Sequence, residues 1–360
     1  MSKRVVIAGG GTGGHLYPAL AIARAIKKID NHVDVSFVGS KQGIEHKVIP
    51  KTEFAIHYIT IGRLNSNVSI FERLKTLMLL PFTLIQTLFL FFKLRPQVVF
   101  GVGGYVSAPF LFVASFFRVP IIIWEPNAYP GLANRLLASR SSLALLVFEE
   151  ANKILKAKNC MQVGLPVREE IEQIKMSEEV IGDEGFHVLI FGGSQGARGI
   201  NKVVSEALLK QEAWQEGVQF IHQIGSTDFE FFNSKYEASN NPNRTHLEFI
   251  HDMHKKYKWA HMVVCRAGVG SAAELMAVGL PAVFVPFPNA ADNHQFKNAK
   301  VLLDKEAALL VEQKDFTPES FRDMVLKLKN DAPLRKKISS NIHRLHVAQS
   351  AHKIAQIILD

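Results

Sequence analysis

Residues 9–26 read GGGTGGHLYPALAIARAI, and five of the first six are glycine. A single imidazole, His15, follows at once. Glycines let backbone N–H groups approach an anion closely, and the start of a helix adds a positive dipole. That field favours a neutral, base-competent imidazole. His15 is therefore placed to take a proton from a substrate hydroxyl beside an anion-binding loop. The competing reading is a histidine that only caps or packs. A second loop, GGSQG at Gly192–Gly196, offers the same amides plus the Ser194 hydroxyl. Arg168 and Arg198 add candidate charge-assisted donors. The competing reading of either loop is a tight strand-to-helix turn.

Two familiar uses of such loops fit poorly. Gly9, Gly11 and Gly14 satisfy G-x-G-x-x-G, but SFVGSK places Gly39 and Ser40 where a dinucleotide site needs a carboxylate for the ribose. An NAD-dependent oxidoreductase is thus a weak alternative. A Walker loop fails as well, because His15 stands where its lysine belongs.

The elements carrying these loops are strands alternating with helices. KRVVIAG, VDVSFVGS, PQVVFGVGG, VPIIIWE and LALLVF read as buried parallel strands, and HLYPALAIARAIKKI as an amphipathic helix. The pattern then restarts: FHVLIFGGSQGARGINKVVSEALL repeats the form of RVVIAGGGTGGHLYPALAIARAI. VVCRAGVGSAAELMAVGLPAVFVPFPN likewise echoes VVFGVGGYVSAPFLFVASFFRVPIIIWEPN. This predicts an α/β chain of two doubly wound, Rossmann-like domains, with glycine loops at the carboxyl ends of the strands facing a cleft. The expected domains are 1–163 and 164–340, with a C-terminal helix at 341–360 returning to the first.

A length of 360 residues suits two domains, and a 48% hydrophobic content supplies their cores. The two cysteines, Cys160 and Cys265, have no metal spacing and fit a reducing compartment. The N-terminus shows no signal-peptide pattern. A formal charge of +9 favours anionic partners, while the absence of zinc-finger, RNP or helix-turn-helix patterns argues against nucleic acid. No D-x-D motif occurs, so no essential metal and no cofactor is expected. Between Lys75 and Lys93 lie 17 uncharged residues, interrupted by Pro81, Gln86 and three threonines. That is at the short limit for a membrane span. Two readings remain: buried core helices, or a surface that docks on lipid between Arg63, Arg73, Lys75, Lys93 and Arg95.

Taken in order, GGGTGGHLYPALA, GVGGYVSAP, EPNAYPGLANR, GLPVR, GGSQGARGIN and VVCRAGVGSAAELMAVGLPAVFVPFPNAADNHQFKNA resemble the successive signatures of the MurG family. Its members are family 28 N-acetylglucosaminyltransferases of peptidoglycan synthesis, and the resemblance therefore implies a role in cell-wall biogenesis, cell shape and cell division. The resemblance runs from about residue 3 to 308 and implies a GT-B fold. It implies inverting transfer of GlcNAc from UDP-GlcNAc to lipid I, the undecaprenyl-diphospho-MurNAc-pentapeptide, giving lipid II. It also implies a peripheral protein on the cytoplasmic face of an anionic cell membrane.

Carried over by motif, the resemblance makes His15 the general base, within the loop Thr12, Gly13 and Gly14. Asn127 matches a loop asparagine, and Gly103, Gly104 and Tyr105 fall on the acceptor side. Arg168 and Ser194 would hold the donor diphosphate. Ile250 would offer backbone contacts to uracil. Val269, Gly270, Ser271, Ala272, Ala273 and Glu274 would wrap the nucleotide, with the Glu274 carboxylate on the ribose hydroxyls. Gln295 would read GlcNAc hydroxyls, since an amide both donates and accepts. The chain departs from the pattern at Trp124 and Pro126, where the family has polar residues, and at His294, where many members carry glutamine. The alternatives are a transferase of the same fold with another lipid acceptor and a non-catalytic nucleotide-sugar binder.

Overall fold

The computed structural model describes residues 2–62, 69–174, 185–193, 195–210, 212–239 and 241–360, without the side chains of Ile70, Glu72 and Arg73. The chain divides into two compact units, Met1–Val167 with Val347–Asp360, and Arg168–His346.

The first unit is built on β1 (Arg4–Gly9), β2 (Asp34–Gly39), β3 (Ala55–Tyr58), β4 (Val98–Gly103), β5 (Ile121–Glu125), β6 (Leu143–Leu146) and β7 (Cys160–Gln162). They form one parallel sheet in the order β3-β2-β1-β4-β5-β6-β7. β1, β4 and β5 are continuous apolar runs because helices cover both sheet faces. The order reverses between β1 and β4, so the loops leaving these two strands lie side by side at the switch point. The register slips there, pairing Gly9 with Gly103. A Cβ on Gly9 would meet the Gly103 carbonyl at 2.5 Å, so this backbone contact requires glycine.

The second unit repeats the plan. β8 (Phe186–Phe191), β9 (Val218–Gln223), β10 (Arg244–Leu247), β11 (Met262–Cys265), β12 (Ala282–Phe284) and β13 (Leu309–Leu310) order as β10-β9-β8-β11-β12-β13, all parallel. β8 and β11 take the places of β1 and β4. The halves that echo each other in sequence thus hold the same topological positions. Strands β3, β7, β9, β10 and β13 carry weaker patterns and stand away from the two switch points.

The helix Ser350–Leu359 belongs to the first unit and packs along the helix Gly13–Ile29. Lys3 Nζ donates to the carbonyl of Leu359 and fastens its end.

The apolar stretch forms one helix, Ile70–Leu94, which continues through Pro81. It is not a pair of buried core helices. Thr76, Thr83 and Thr87 are buried, whereas Leu74, Leu77, Met78, Phe82, Ile85, Phe89 and Phe92 are exposed. The inner threonines find partners: Thr83 Oγ1 donates to the Thr60 and Leu79 carbonyls, and Thr87 Oγ1 to the Thr83 carbonyl. Gln86 accepts from Thr60 N–H at 2.7 Å. Up to Thr87 the usual amphipathic pattern is reversed, with small polar groups facing the protein and large apolar groups facing outward, before Leu90 and Phe91 turn into the core. Arg63 lies outside the described residues.

Candidate functional site

In the first unit the predicted residues gather at the ends of three neighbouring strands. Thr12 is the N-cap of the helix Gly13–Ile29, in extended conformation and with no side-chain capping bond. Gly13, Gly14 and His15 form its first turn, and His15 N–H donates to the Thr12 carbonyl at 3.2 Å. The imidazole lies against Gly103, where an added Cβ would come within 3.1 Å of Cε1. Gly104 presses on loop one from the β4 side, because its Cβ would lie 2.7 Å from the Gly10 carbonyl. The Tyr105 hydroxyl stands close to Gly11. The two glycine loops are therefore packed on each other, with the imidazole on top.

One carboxylate that the motifs did not mark sits on the other side of the first loop. Glu45 is 1% exposed and accepts from Gly11 N–H at 2.8 Å, Ser40 N–H at 2.9 Å and Ser40 Oγ at 3.1 Å. Gly10, Gly39 and Gly43 surround it so closely that a Cβ on any of them would strike it at 2.6 Å or less. Gly11 N–H is thus taken by Glu45 and is closed to an outside anion. The helix start at Gly13 and Gly14 remains uncapped by a side chain.

Asn127 follows β5 and is held by another buried acid. Glu125, 2% exposed, accepts from Asn127 N–H at 3.0 Å, Gly131 N–H at 2.9 Å and Asn134 Nδ2 at 2.9 Å. Burial raises its pKa, against the lowering effect of these donors. Trp124 is fully buried, with its indole N–H donating to the Gly164 carbonyl at 3.4 Å. The departure there is a core residue.

In the second unit the predicted residues again lie at strand ends. Gly192 and Gly193 leave β8, and the helix Arg198–Leu209 follows without a side-chain cap. Ser194 lies outside the described residues. The helix Val269–Val278 follows β11; its N-cap is Gly268, again with no side-chain cap. A Cβ on Gly193, Gly268 or Gly270 would meet nothing within 4 Å. Gly193 and the start of the helix Val269–Val278 thus open onto free space, as a ligand site requires, whereas Gly192, Gly196 and Gly199 around the start of the helix Arg198–Leu209 are packed against protein atoms.

Glu274 stands on the second turn of that helix. Its Oε1 accepts from Arg168 Nε at 3.3 Å and Nη2 at 3.2 Å, and its Oε2 from the Tyr257 hydroxyl at 2.9 Å. Tyr257 is 1% exposed, and burial, reinforced by the Glu274 charge, raises its pKa well above the ordinary value. Burial also holds Arg266, at the end of β11, down at about 10, while it donates to the Val285 and Pro286 carbonyls. Arg198 is exposed and only 3.9 Å from Asp228.

Ile250 follows β10, and its N–H is already donated to Gln223 Oε1 at 2.9 Å. Only its carbonyl is left for the predicted backbone contact. The same Gln223 donates to the Gly193 carbonyl at 2.9 Å and so straps the β8 loop to the β10 loop. Gln295, the second residue of the helix His294–Asp304, accepts from Phe287 N–H at 2.9 Å. Asp292 and Asn293, with φ of 51° and 53°, form the left-handed turn before it. His294 points its Nδ1 back to the Ala291 carbonyl.

Sequence reasoning missed Glu45, Gln223 and Tyr257. Each acts on a residue distant in sequence, and none stands in a recognisable motif. The one available signal was a carboxylate, amide or phenol inside an otherwise apolar setting.

Residues 5–144 match the glycosyltransferase family 28 N-terminal domain, and residues 187–356 match its C-terminal domain. The chain is 45% identical, over all of its length and 99% of the relative's, to a Bdellovibrio bacteriovorus protein named "UDP-N-acetylglucosamine--N-acetylmuramyl-(pentapeptide) pyrophosphoryl-undecaprenol N-acetylglucosamine transferase". A protein of the same name from Syntrophotalea carbinolica is 36% identical over 98% of both chains. Among solved structures, MurG of Acinetobacter baumannii superposes with a TM-score of 0.82 at 28% identity, covering 99% of each chain. The two parallel-sheet units are those of a GT-B glycosyltransferase, and the chain belongs to glycosyltransferase family 28, alongside the MurG enzymes.

Proposed function

We propose that this chain transfers GlcNAc from UDP-GlcNAc to the 4-hydroxyl of MurNAc in undecaprenyl-diphospho-MurNAc-pentapeptide, converting lipid I to lipid II with inversion. The observation that carries this reading is the arrangement around Glu274: a carboxylate beside an uncapped helix start, with Arg168 on one oxygen and Tyr257 on the other. This is a site for a nucleoside diphosphate, and the relatives' names supply the sugar and the acceptor.

In this mechanism Glu274 accepts from the ribose hydroxyls and the Ile250 carbonyl faces uracil. The amides at Gly193 and at the start of the helix Arg198–Leu209 receive the diphosphate, with Arg168. Ser194 is assigned there by resemblance alone. Val269, Gly270, Ser271, Ala272 and Ala273 form the turn that the nucleotide covers, and Gln295 offers its amide to GlcNAc. On the acceptor side, His15 takes the proton of the 4-hydroxyl as that oxygen attacks the anomeric carbon opposite UDP. Charge developing on the departing UDP spreads over preorganised amides and Arg168. Thr12, Gly13, Gly14, Gly103, Gly104, Tyr105 and Asn127 shape the acceptor side.

The reversed helix Ile70–Leu94 supports peripheral docking on the cytoplasmic face of an anionic membrane. Its outward apolar face suits acyl chains, and the exposed Lys75, Lys93 and Arg95 suit anionic headgroups. The residues from Leu74 to Leu94 are also long and apolar enough to cross a membrane by composition. Thr83 Oγ1, however, donates to the Thr60 carbonyl and Gln86 accepts from Thr60 N–H, which ties the helix to the first unit and favours lying on the surface.

The test is transfer of labelled GlcNAc to a lipid I analogue by the unaltered protein, His15→Ala and Glu274→Ala. His15→Ala should lose about 10²–10⁴-fold in rate with donor binding intact. Glu274→Ala should lose donor binding. Unchanged transfer by His15→Ala would remove the imidazole from the chemistry, and no transfer by the unaltered protein that still binds UDP-GlcNAc would sink the acceptor.

A further inference from the structure

The two oxygens of Glu274 are held by very different partners. Arg168 carries a side chain 50% exposed to solvent and occupies Oε1 through Nε and Nη2. Tyr257 comes from the helix Met253–Trp259, is 1% exposed, and packs its ring near Phe191 at the end of β8. An exposed guanidinium can swing away, whereas a phenol locked in the core cannot.

A carboxylate has about four lone-pair positions. Arg168 takes two on Oε1 and Tyr257 takes one on Oε2. A ribose diol needs two, so its arrival must displace Arg168 from at least one. Displacing Tyr257 instead would leave a buried hydroxyl without a partner, which costs more. We infer that Tyr257 is a positioning residue for donor recognition: it fixes Glu274 Oε2 so that the remaining lone pairs read the vicinal hydroxyls of a ribonucleoside diphosphate. This rests on the assignment of Glu274 to the ribose and adds the residue that makes that contact selective. The side chain that reads the sugar is exposed at 22%, and the group that aims it is buried behind it.

The selectivity has a physical basis. A site built around hydrogen bonds from a hydroxyl rejects the analogue that lacks it, because the acceptor is then left unpaired. Without Tyr257's hydroxyl, Glu274 is free to turn toward Arg168, and the penalty for a missing ribose hydroxyl shrinks.

The experiment measures the dissociation constants of UDP and 2′-deoxy-UDP by calorimetry on the full chain, for the unaltered protein, Tyr257→Phe and Glu274→Gln. The unaltered protein should prefer UDP by about tenfold or more, the value of a hydrogen bond to a charged group. Tyr257→Phe should weaken UDP by about tenfold and leave 2′-deoxy-UDP within about twofold, so the preference disappears. Equal weakening of both ligands would make Tyr257 a packing residue and overturn the proposal. So would an undiminished preference in Tyr257→Phe when Glu274→Gln has lost it, which leaves the ribose assignment standing. Equal affinity of the unaltered protein for both ligands would overturn that assignment itself, and the proposal with it. Tyr257→Leu carries the same comparison, with the same selective loss expected, if Tyr257→Phe does not fold.

Discussion

The carboxylate of Glu45 accepts a hydrogen bond from the backbone N–H of Gly11 at 2.8 Å, across 34 residues of sequence. The first glycine loop thus holds an anion that belongs to the protein. Glu45 pulls the loop from one side while Gly103 and Gly104 press it from the other, and His15 sits four residues further on. In Glu45→Gln, an amide N–H must face either Gly11 N–H or Ser40 N–H. The expected cost is about 1–3 kcal/mol, read from the urea midpoint and slope. Turnover should fall by about 10- to 100-fold, the usual effect of a displaced catalytic group. UDP affinity, which the proposed function places on the second unit, should not change.

Arg168 and Glu274 should behave as one unit. Arg168 is bonded to Glu274 at 3.2–3.3 Å. In the proposed function it leaves that carboxylate to reach the diphosphate, so donor binding exchanges one charged contact for another. Arg168→Ala should therefore raise the UDP-GlcNAc KM only about five- to tenfold, less than an isolated phosphate contact would suggest. The double variant Arg168→Ala with Glu274→Ala should be weaker than the sum of the singles predicts by a measurable coupling. Arg168→Lys should not restore affinity, since a point charge lacks the guanidinium fork. Additive losses in a double-mutant cycle would show that the pair is incidental.

Acid should weaken the second unit through His222. This residue is fully buried between Tyr236 OH at 2.9 Å and Asn201 Oδ1 at 3.1 Å, and burial lowers its pKa from 6.5 to about 3. The unfolded chain then binds a proton that the folded chain refuses. Stability from the neutral ring is complete above pH 6.5 and is lost progressively as pH falls toward 3. The full loss is on the order of 5 kcal/mol. His222→Gln should start less stable at neutral pH and show a flatter denaturation midpoint between pH 6.5 and 4. A slope equal to that of the unaltered protein would remove His222 from the titration.

The outward face of the helix Ile70–Leu94 is expected to control membrane residence without touching chemistry. Phe82→Ser and Phe89→Ser should each reduce co-sedimentation with anionic vesicles by about tenfold or more, the value of burying one large apolar side chain. Turnover of a soluble acceptor analogue should stay the same. Raised salt should weaken vesicle binding further, through the lysines and arginine at the helix ends. Vesicle binding that survives both substitutions would place the docking surface elsewhere.

Much of this architecture was legible because buried parallel strands that end in glycines leave a strong pattern. The echo of RVVIAGGG in VLIFGGSQG marks β1 and β8 as equivalent, and the sheets bear this out. The helix 70–94 was legible as apolar but not as reversed, because composition does not say which side meets the protein. Thr83 and Thr87 look like flaws in a span until their carbonyl partners are seen. Glu45, Gln223 and Tyr257 stayed hidden for a related reason. Their partners lie 34, 30 and 17 residues away, and only the folded chain brings them together. Motifs record residues that touch substrate more readily than those that hold the first group in place.

The return of the helix Ser350–Leu359 to the first unit sets an order of assembly during synthesis. The second unit is a continuous run, Arg168–His346, and can close its core as soon as those residues have left the ribosome. The first unit emerges earlier but finishes later. Until residues 347–360 are made, the helix Gly13–Ile29 lacks its partner. The half that is born first closes last, so a chain interrupted before Val347 leaves a complete second unit and a first unit without its last helix.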